Sequence, residues 1–116
     1  MDRSHSLRDL QQELRLFRDA RNWSQFHSLR NLAAAIAVEA GELQELFLWS
    51  EDGRDTLQTR RSDVEQELAD VLIQCLNFAN AAGIDPAAVV SAKIALNAER
   101  YPSDKARGKS AKWSDL

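Results

Sequence analysis

Ser62-Asp63-Val64-Glu65-Gln66-Glu67-Leu68-Ala69-Asp70-Val71-Leu72-Ile73-Gln74-Cys75-Leu76-Asn77-Phe78-Ala79 decides the fold of this chain. Val64, Leu68, Val71, Leu72, Cys75, Leu76 and Ala79 recur at three- and four-residue steps, the period of one apolar stripe on a helix. Ser62 and Glu65 have the spacing of a capping box, so the helix is expected to start there. Gly83 offers a left-handed stop. Two acids, Glu67 and Asp70, are set among these core-type residues.

Upstream, a second helix is expected from about Leu29 to Trp49, with Leu32, Ile36, Leu43, Leu46 and Phe47 as its apolar set. A polar loop, Ser50 to Arg61, joins the two. Still further upstream, Leu7, Leu10, Leu14 and Phe17 mark another helix, with Ser6 and Asp9 as a capping pair. The segment Asp19 to Ser28 breaks the pattern. Downstream, Asp85-Pro86 reads as N-cap and first residue of a last helix carrying Val89, Val90, Ile94 and Leu96, ended by Pro102. No strand-like alternation competes. Short connections favour antiparallel neighbours. The expectation is an all-α, antiparallel four-helix bundle, a single domain over residues 1–116 with a basic tail from about residue 102.

The chain has 116 residues and a net charge of −3, which disfavours nucleic acid as a partner because that needs a strong positive field. From Arg100 onward, Arg100, Lys105, Arg107, Lys109 and Lys112 face only Asp104 and Asp115, so the body is acidic and the end basic. That arrangement suits a small anion held through a metal, although a charge-rich end taken alone reads first as a solvated tail. Cys75 is the only cysteine, which excludes an internal disulfide, and it reads as a small core residue. No apolar run is long enough for a membrane span. The polar stretch Met1 to Arg8 is unlike a signal peptide, so a reducing cytoplasm is expected. Four helices in so short a chain leave apolar surface uncovered, which points to self-association.

Glu39 and Glu42 lie three apart on the second helix and so share a face; Glu67 and Asp70 repeat the spacing on the next. Packing these helices would gather four carboxylates that repel one another and resist ionisation. A hard divalent cation relieves the conflict. Mg²⁺ fits an all-oxygen set, with Mn²⁺ as a substitute, whereas zinc would call for His or Cys. One Glu-x-x-Glu is common on a solvated helix edge. Two pairs on consecutive helices, each flanked by apolar residues, leave a metal site and two solvated edges both open.

Beyond the acids, Trp23-Ser24-Gln25-Phe26-His27, Arg30-Asn31-Leu32, Glu39-Ala40-Gly41-Glu42-Leu43, Leu46-Phe47-Leu48-Trp49, Lys93, Asn97, Arg100-Tyr101-Pro102 and Arg107-Gly108-x-x-x-Lys112-Trp113 run nearly the length of the chain. Together they resemble the MazG-like nucleotide pyrophosphohydrolases, in particular the dCTP pyrophosphatase branch. The resemblance implies an all-α fold assembled as a tetramer and Mg²⁺ bound by Glu39, Glu42, Glu67 and Asp70. It also implies hydrolysis of a nucleoside triphosphate, dCTP or a modified dCTP, to the monophosphate and pyrophosphate.

By the same resemblance, Trp23 and Trp49 line the base pocket, where a flat base gains about 1–3 kcal/mol per stacked aromatic. Lys93 and Asn97 would contact the nucleotide. His27 is open between a phosphate contact, a supporting donor and a helix-entry residue; Phe26 reads as core. Arg107 and Lys112 are open between closing over the triphosphate and surface charge. This chain departs from the branch at Leu14, where a His is usual, and at Gln74, where a Tyr is usual. Both positions belong to base recognition, so looser base discrimination is expected. Val38 stands where some members carry a Glu proposed as general base, which leaves Glu42 and Glu45 as candidates. Two other readings compete: hydrolysis of another, noncanonical nucleotide in a house-cleaning role, and a noncatalytic helical bundle that binds a partner or senses nucleotides. The clustered acids weigh against the second, since a scaffold has no use for them.

Overall fold

The computed structural model describes residues 5–116; the first four residues of the polar stretch Met1 to Arg8 lie outside the described residues. Six helices follow in order: α1 Leu7–Ala20, α2 Leu29–Glu45, α3 Arg54–Thr59, α4 Arg61–Ala82, α5 Pro86–Arg100 and α6 Ser103–Ala106. Among the described residues there is no strand. The chain divides into two compact units, Met1–Ile84 and Asp85–Leu116.

In the first unit α4 is the centre: α2 and α1 pack against it, and α3 touches it. Leu32 of α2 and Leu76 and Ala79 of α4 are its most buried apolar residues. A polar strap ties α1 to α4. Gln11 Nε2 and Arg15 Nη1 both donate to Asn80 Oδ1, at 2.9 and 2.8 Å, and Asn80 Nδ2 donates back to the Gln11 carbonyl at 3.1 Å. Two chain signals act as expected. Ser6 and Asp9 form a complete capping box, and Gly83 ends α4 in the left-handed conformation, φ 68°.

Elsewhere the structure corrects the expectation. The quoted helix starts at Arg61, not Ser62, and no side chain caps it. α3 ends at Thr59, so Arg60 alone links the two helices, and Val64 N–H already bonds the Arg60 carbonyl at 3.0 Å. Ser62 Oγ instead accepts from Gln66. The supposed loop contains α3, too short to show a period. It enters from Gly53 at φ 88°, where a Cβ would stand 3.1 Å from the Phe47 ring, so any other residue would be strained there. α2 ends at Glu45, because Leu46, Phe47 and Leu48 switch to i→i−3 bonds. Leu46 and Phe47 stay half-buried through that tighter turn, which is why the apolar pattern ran on past the helix. Cys75 and Phe26, read as core, are exposed.

The second unit begins as expected. Asp85 accepts from the Ala87 and Ala88 amides, and Pro86 is the first helical residue of α5. Its end is held by Arg100, whose guanidinium lies 4.9 Å over the Trp113 ring. Among the described residues no helix is long and apolar enough to cross a membrane.

Candidate active site

Where α2 meets α4, carboxylate oxygens of Glu39, Glu67 and Asp70 lie within 4.8 Å of one another. Burial, then the neighbouring Glu42 carboxylate, then Asp70 and Glu67 raise the Glu39 carboxyl above its ordinary value. Burial, then Glu42, then Asp70 raise Glu67 in the same way. Glu42 itself is exposed and lies outside the group of three, yet it bears on both neighbours. Glu39 Oε2 and Glu67 Oε2 are buried with no hydrogen-bond partner. A buried carboxylate oxygen left unpaired is costly, and four acids together more so. Hard oxygen donors with free lone pairs fit a divalent cation of the Mg²⁺ type.

Asp70 also lines a cavity of about 640 Å³ between α1 and α4. Leu10, Leu14 and Phe17 of α1 and Leu72, Ile73 and Leu76 of α4 supply its apolar lining. Trp23 and His27 close one side. The placement of Trp23 follows from how α1 ends. Asn22 is left-handed at φ 53°, Asn22 N–H bonds the Asp19 carbonyl, and Trp23 N–H bonds the Arg18 carbonyl. This is a Schellman motif with Asn in place of Gly, and its usual apolar contact is the edge-to-face pair of Phe17 and Trp23, 5.7 Å apart. Arg21 lies over Phe17, 3.5 Å from the ring centre, and 6.0 Å from the Trp23 ring centre. His27 is shifted towards the neutral form by burial and then by the Arg18 charge.

Of the residues expected at the site, the structure therefore brings together Glu39, Glu42, Glu67 and Asp70, and beside them Trp23 and His27. Leu14 and Gln74, the two departures, both line the cavity. Trp49 does not. It lies beyond the end of α2, 97% exposed and absent from the cavity wall. Lys93 and Asn97 are exposed on α5, four residues apart, Arg107 follows α6, and Lys112 precedes the final turn Trp113–Asp115; all four belong to the second unit. Sequence reasoning missed Arg18 and Asn77 on the cavity wall. Asn77 lies seven residues after Asp70, a spacing that returns to the same helix face and could have marked it.

The sequence model of the MazG-like family matches residues 34–116, which include all four acids. Human dCTP pyrophosphatase 1 is 37% identical over 115 residues, covering 96% of this chain and 68% of the human protein. Mouse dCTP pyrophosphatase 1 is 39% identical over 116 residues, with the same shares. A crystal structure of a pyrophosphatase from Archaeoglobus fulgidus superposes with a TM-score of 0.80 at 38% identity, covering 88% of this chain and 97% of that one. The chain belongs to the MazG-like family.

Proposed function

We infer that this chain is a nucleotide pyrophosphohydrolase, cleaving a deoxynucleoside triphosphate, dCTP or a modified dCTP, to its monophosphate and pyrophosphate. The observation that carries the reading is the group of Glu39, Glu67 and Asp70 with its orphaned buried oxygens, opening through Asp70 onto a cavity walled by Trp23. The curated relatives from human and mouse bear the name of that activity.

Glu39, Glu42, Glu67 and Asp70 would hold Mg²⁺, with Mn²⁺ as a substitute. A bound cation there supplies charge neutralisation on the phosphate oxygens and lowers the pKa of a water. Trp23 stacks on the base, while Leu14 and Ile73 pack against it and exclude solvent. Water attacks phosphorus in line with the leaving pyrophosphate; one O–P bond forms and the bond between the first and second phosphates breaks. Glu42, exposed beside the three clustered acids, takes the water's proton. His27, neutral at the cavity wall, donates a hydrogen bond to substrate. Lys93, Asn97, Arg107 and Lys112 are assigned to the substrate's phosphates and sugar, with the cations offsetting developing charge. A tetramer and a cytoplasmic setting belong to the same proposal.

Pyrophosphate release from a panel of nucleoside triphosphates, with Mg²⁺ and with chelator, tests it. Metal-dependent release from dCTP is expected. Release only from purine or damaged nucleotides would favour the house-cleaning alternative, and no release from any would leave a binding module.

A further inference from the structure

α1 has no buried residue, yet it forms one wall of the cavity. Apolar contact alone fixes neither its rotation nor its shift along α4, because the hydrophobic effect has no direction. Hydrogen bonds have direction, and Asn80 supplies them. Among the described residues, its bonds to Gln11 and Arg15 are the only side-chain hydrogen bonds between α1 and α4. Every other side-chain hydrogen bond spans five residues or fewer. The Asn80 amide has one setting that works. Its Oδ1 takes two donors while its Nδ2 gives to the Gln11 carbonyl; turned over, it would set its own NH₂ against both donors. Asn80, Gln11 and Arg15 are all half-buried.

Gln11 and Arg15 each follow a cavity-lining leucine, Leu10 and Leu14, by one position. Successive residues are about 100° apart on a helix, so pinning one of these faces fixes the other. The clamp is also remote from the carboxylates. On α4, Asn80 stands about 15 Å beyond Asp70, at about 1.5 Å per residue. Glu39 and Glu42 belong to α2, Glu67 and Asp70 to α4, so α1 brings none of the four acids. We propose that Asn80 is a positioning residue for substrate. Through Gln11 and Arg15 it holds Leu10, Leu14 and Phe17 at the spacing from Ile73 and Asn77 that grips the base, and it leaves the hydrolytic step untouched. The proposal rests on the nucleotide-hydrolase reading, and it gives the end of the cavity away from the acids a role in binding alone.

The test joins steady-state kinetics on dCTP to calorimetric binding of dCMP in chelator and to amide hydrogen exchange. Asn80→Leu should raise KM about tenfold, the worth of one net hydrogen bond of ordinary to charged strength. Its kcat and Mg²⁺ requirement should stay as in the wild type. Binding of dCMP should weaken by the same factor, and exchange should quicken in Leu7–Ala20 ahead of α2. Asn80→Asp keeps an acceptor for both donors and loses the bond to the Gln11 carbonyl, so it should recover part of the affinity. Gln11→Leu added to Asn80→Leu should change little further, because both remove one network. A merely structural role would lower kcat through a smaller folded fraction and leave KM unchanged; that result would overturn the proposal. So would an Asp variant as impaired as the Leu variant. If no triphosphate released pyrophosphate while dCMP still bound more weakly to Asn80→Leu, the hydrolase reading would fall and the clamp would stand. Binding of dCMP equally to wild type and Asn80→Leu, or to neither, would overturn the clamp.

Discussion

Glu39 and Glu67 carry the sharpest consequences of any single residues here. Each holds a buried oxygen without a partner, and each has its carboxyl raised. Glu39→Gln, Glu67→Gln or Asp70→Asn should each lower metal-dependent turnover by more than about a hundredfold, beyond the 10–100-fold typical of residues that only support a metal ligand; steady-state pyrophosphate release is the measurement. In chelator the effect on stability should have the opposite sign. The folded state binds protons on Glu39 and Glu67 more tightly than the unfolded chain does, whose carboxyls keep their ordinary value of 4.5. Their contribution to stability is therefore fully present below that value and is lost as pH rises through the raised folded values. At neutral pH the charges oppose folding, so Glu67→Gln should melt above wild type. That gap should close as pH falls towards 4.5, as followed by thermal unfolding. Adding Mg²⁺ should raise the melting temperature of the wild type and not of Glu67→Gln. The acids were legible because charge on an apolar helix face is conspicuous. Asn77 was not, because one amide on a helix reads as ordinary surface until a cavity is seen beside it.

Helix ends show what local sequence can and cannot specify. Ser6 and Asp85 cap through their own side chains, Gly83 and Pro86 act through their own backbones, and each marked its boundary correctly. Ser62 failed as a cap because α3, invisible to periodicity, delivers the chain to α4 already turned. Asn22 is the reverse case, an end signal that decides the site. Its left-handed φ of 53° folds Trp23 back onto Phe17 and so onto the cavity wall. Asn22→Gly should be tolerated, since glycine adopts that region freely. Asn22→Val should cost about 1–2 kcal/mol, the penalty for a side chain in that conformation. It should also weaken dCMP binding by displacing Trp23. Urea unfolding and calorimetry separate the two effects. Equal binding in both variants would show that the turn does not position the indole.

Taken whole, the chain buries little. Among the described residues only Leu32, Leu76 and Ala79 are buried apolar residues, although a chain of 116 residues can bury roughly two-thirds of its unfolded surface. Leu72, Val89, Val90 and Ile94 are each more than half exposed, on two different helices. Apolar surface on that scale is seldom left in water, and closed symmetric assembly is its commonest cover. Periodicity identified these faces as apolar but carries no information on what covers them. Trp49 makes the case specific: it is 97% exposed and far more apolar than its position warrants, and it stands off the cavity wall although the resemblance assigns it to a base. Both facts are reconciled if Trp49 is covered by a second copy of the chain. The expected species is a tetramer, four times 13.1 kDa, in light scattering at micromolar concentration. In the assembled protein iodide should quench Trp49 weakly, as judged against Trp49→Phe. Trp49→Ala should shift the mass towards smaller species and lower kcat/KM together, because the same residue would serve the interface and the base. A stable 13.1 kDa monomer with full activity would refute the assembly, and would leave Trp49 without a role in the site.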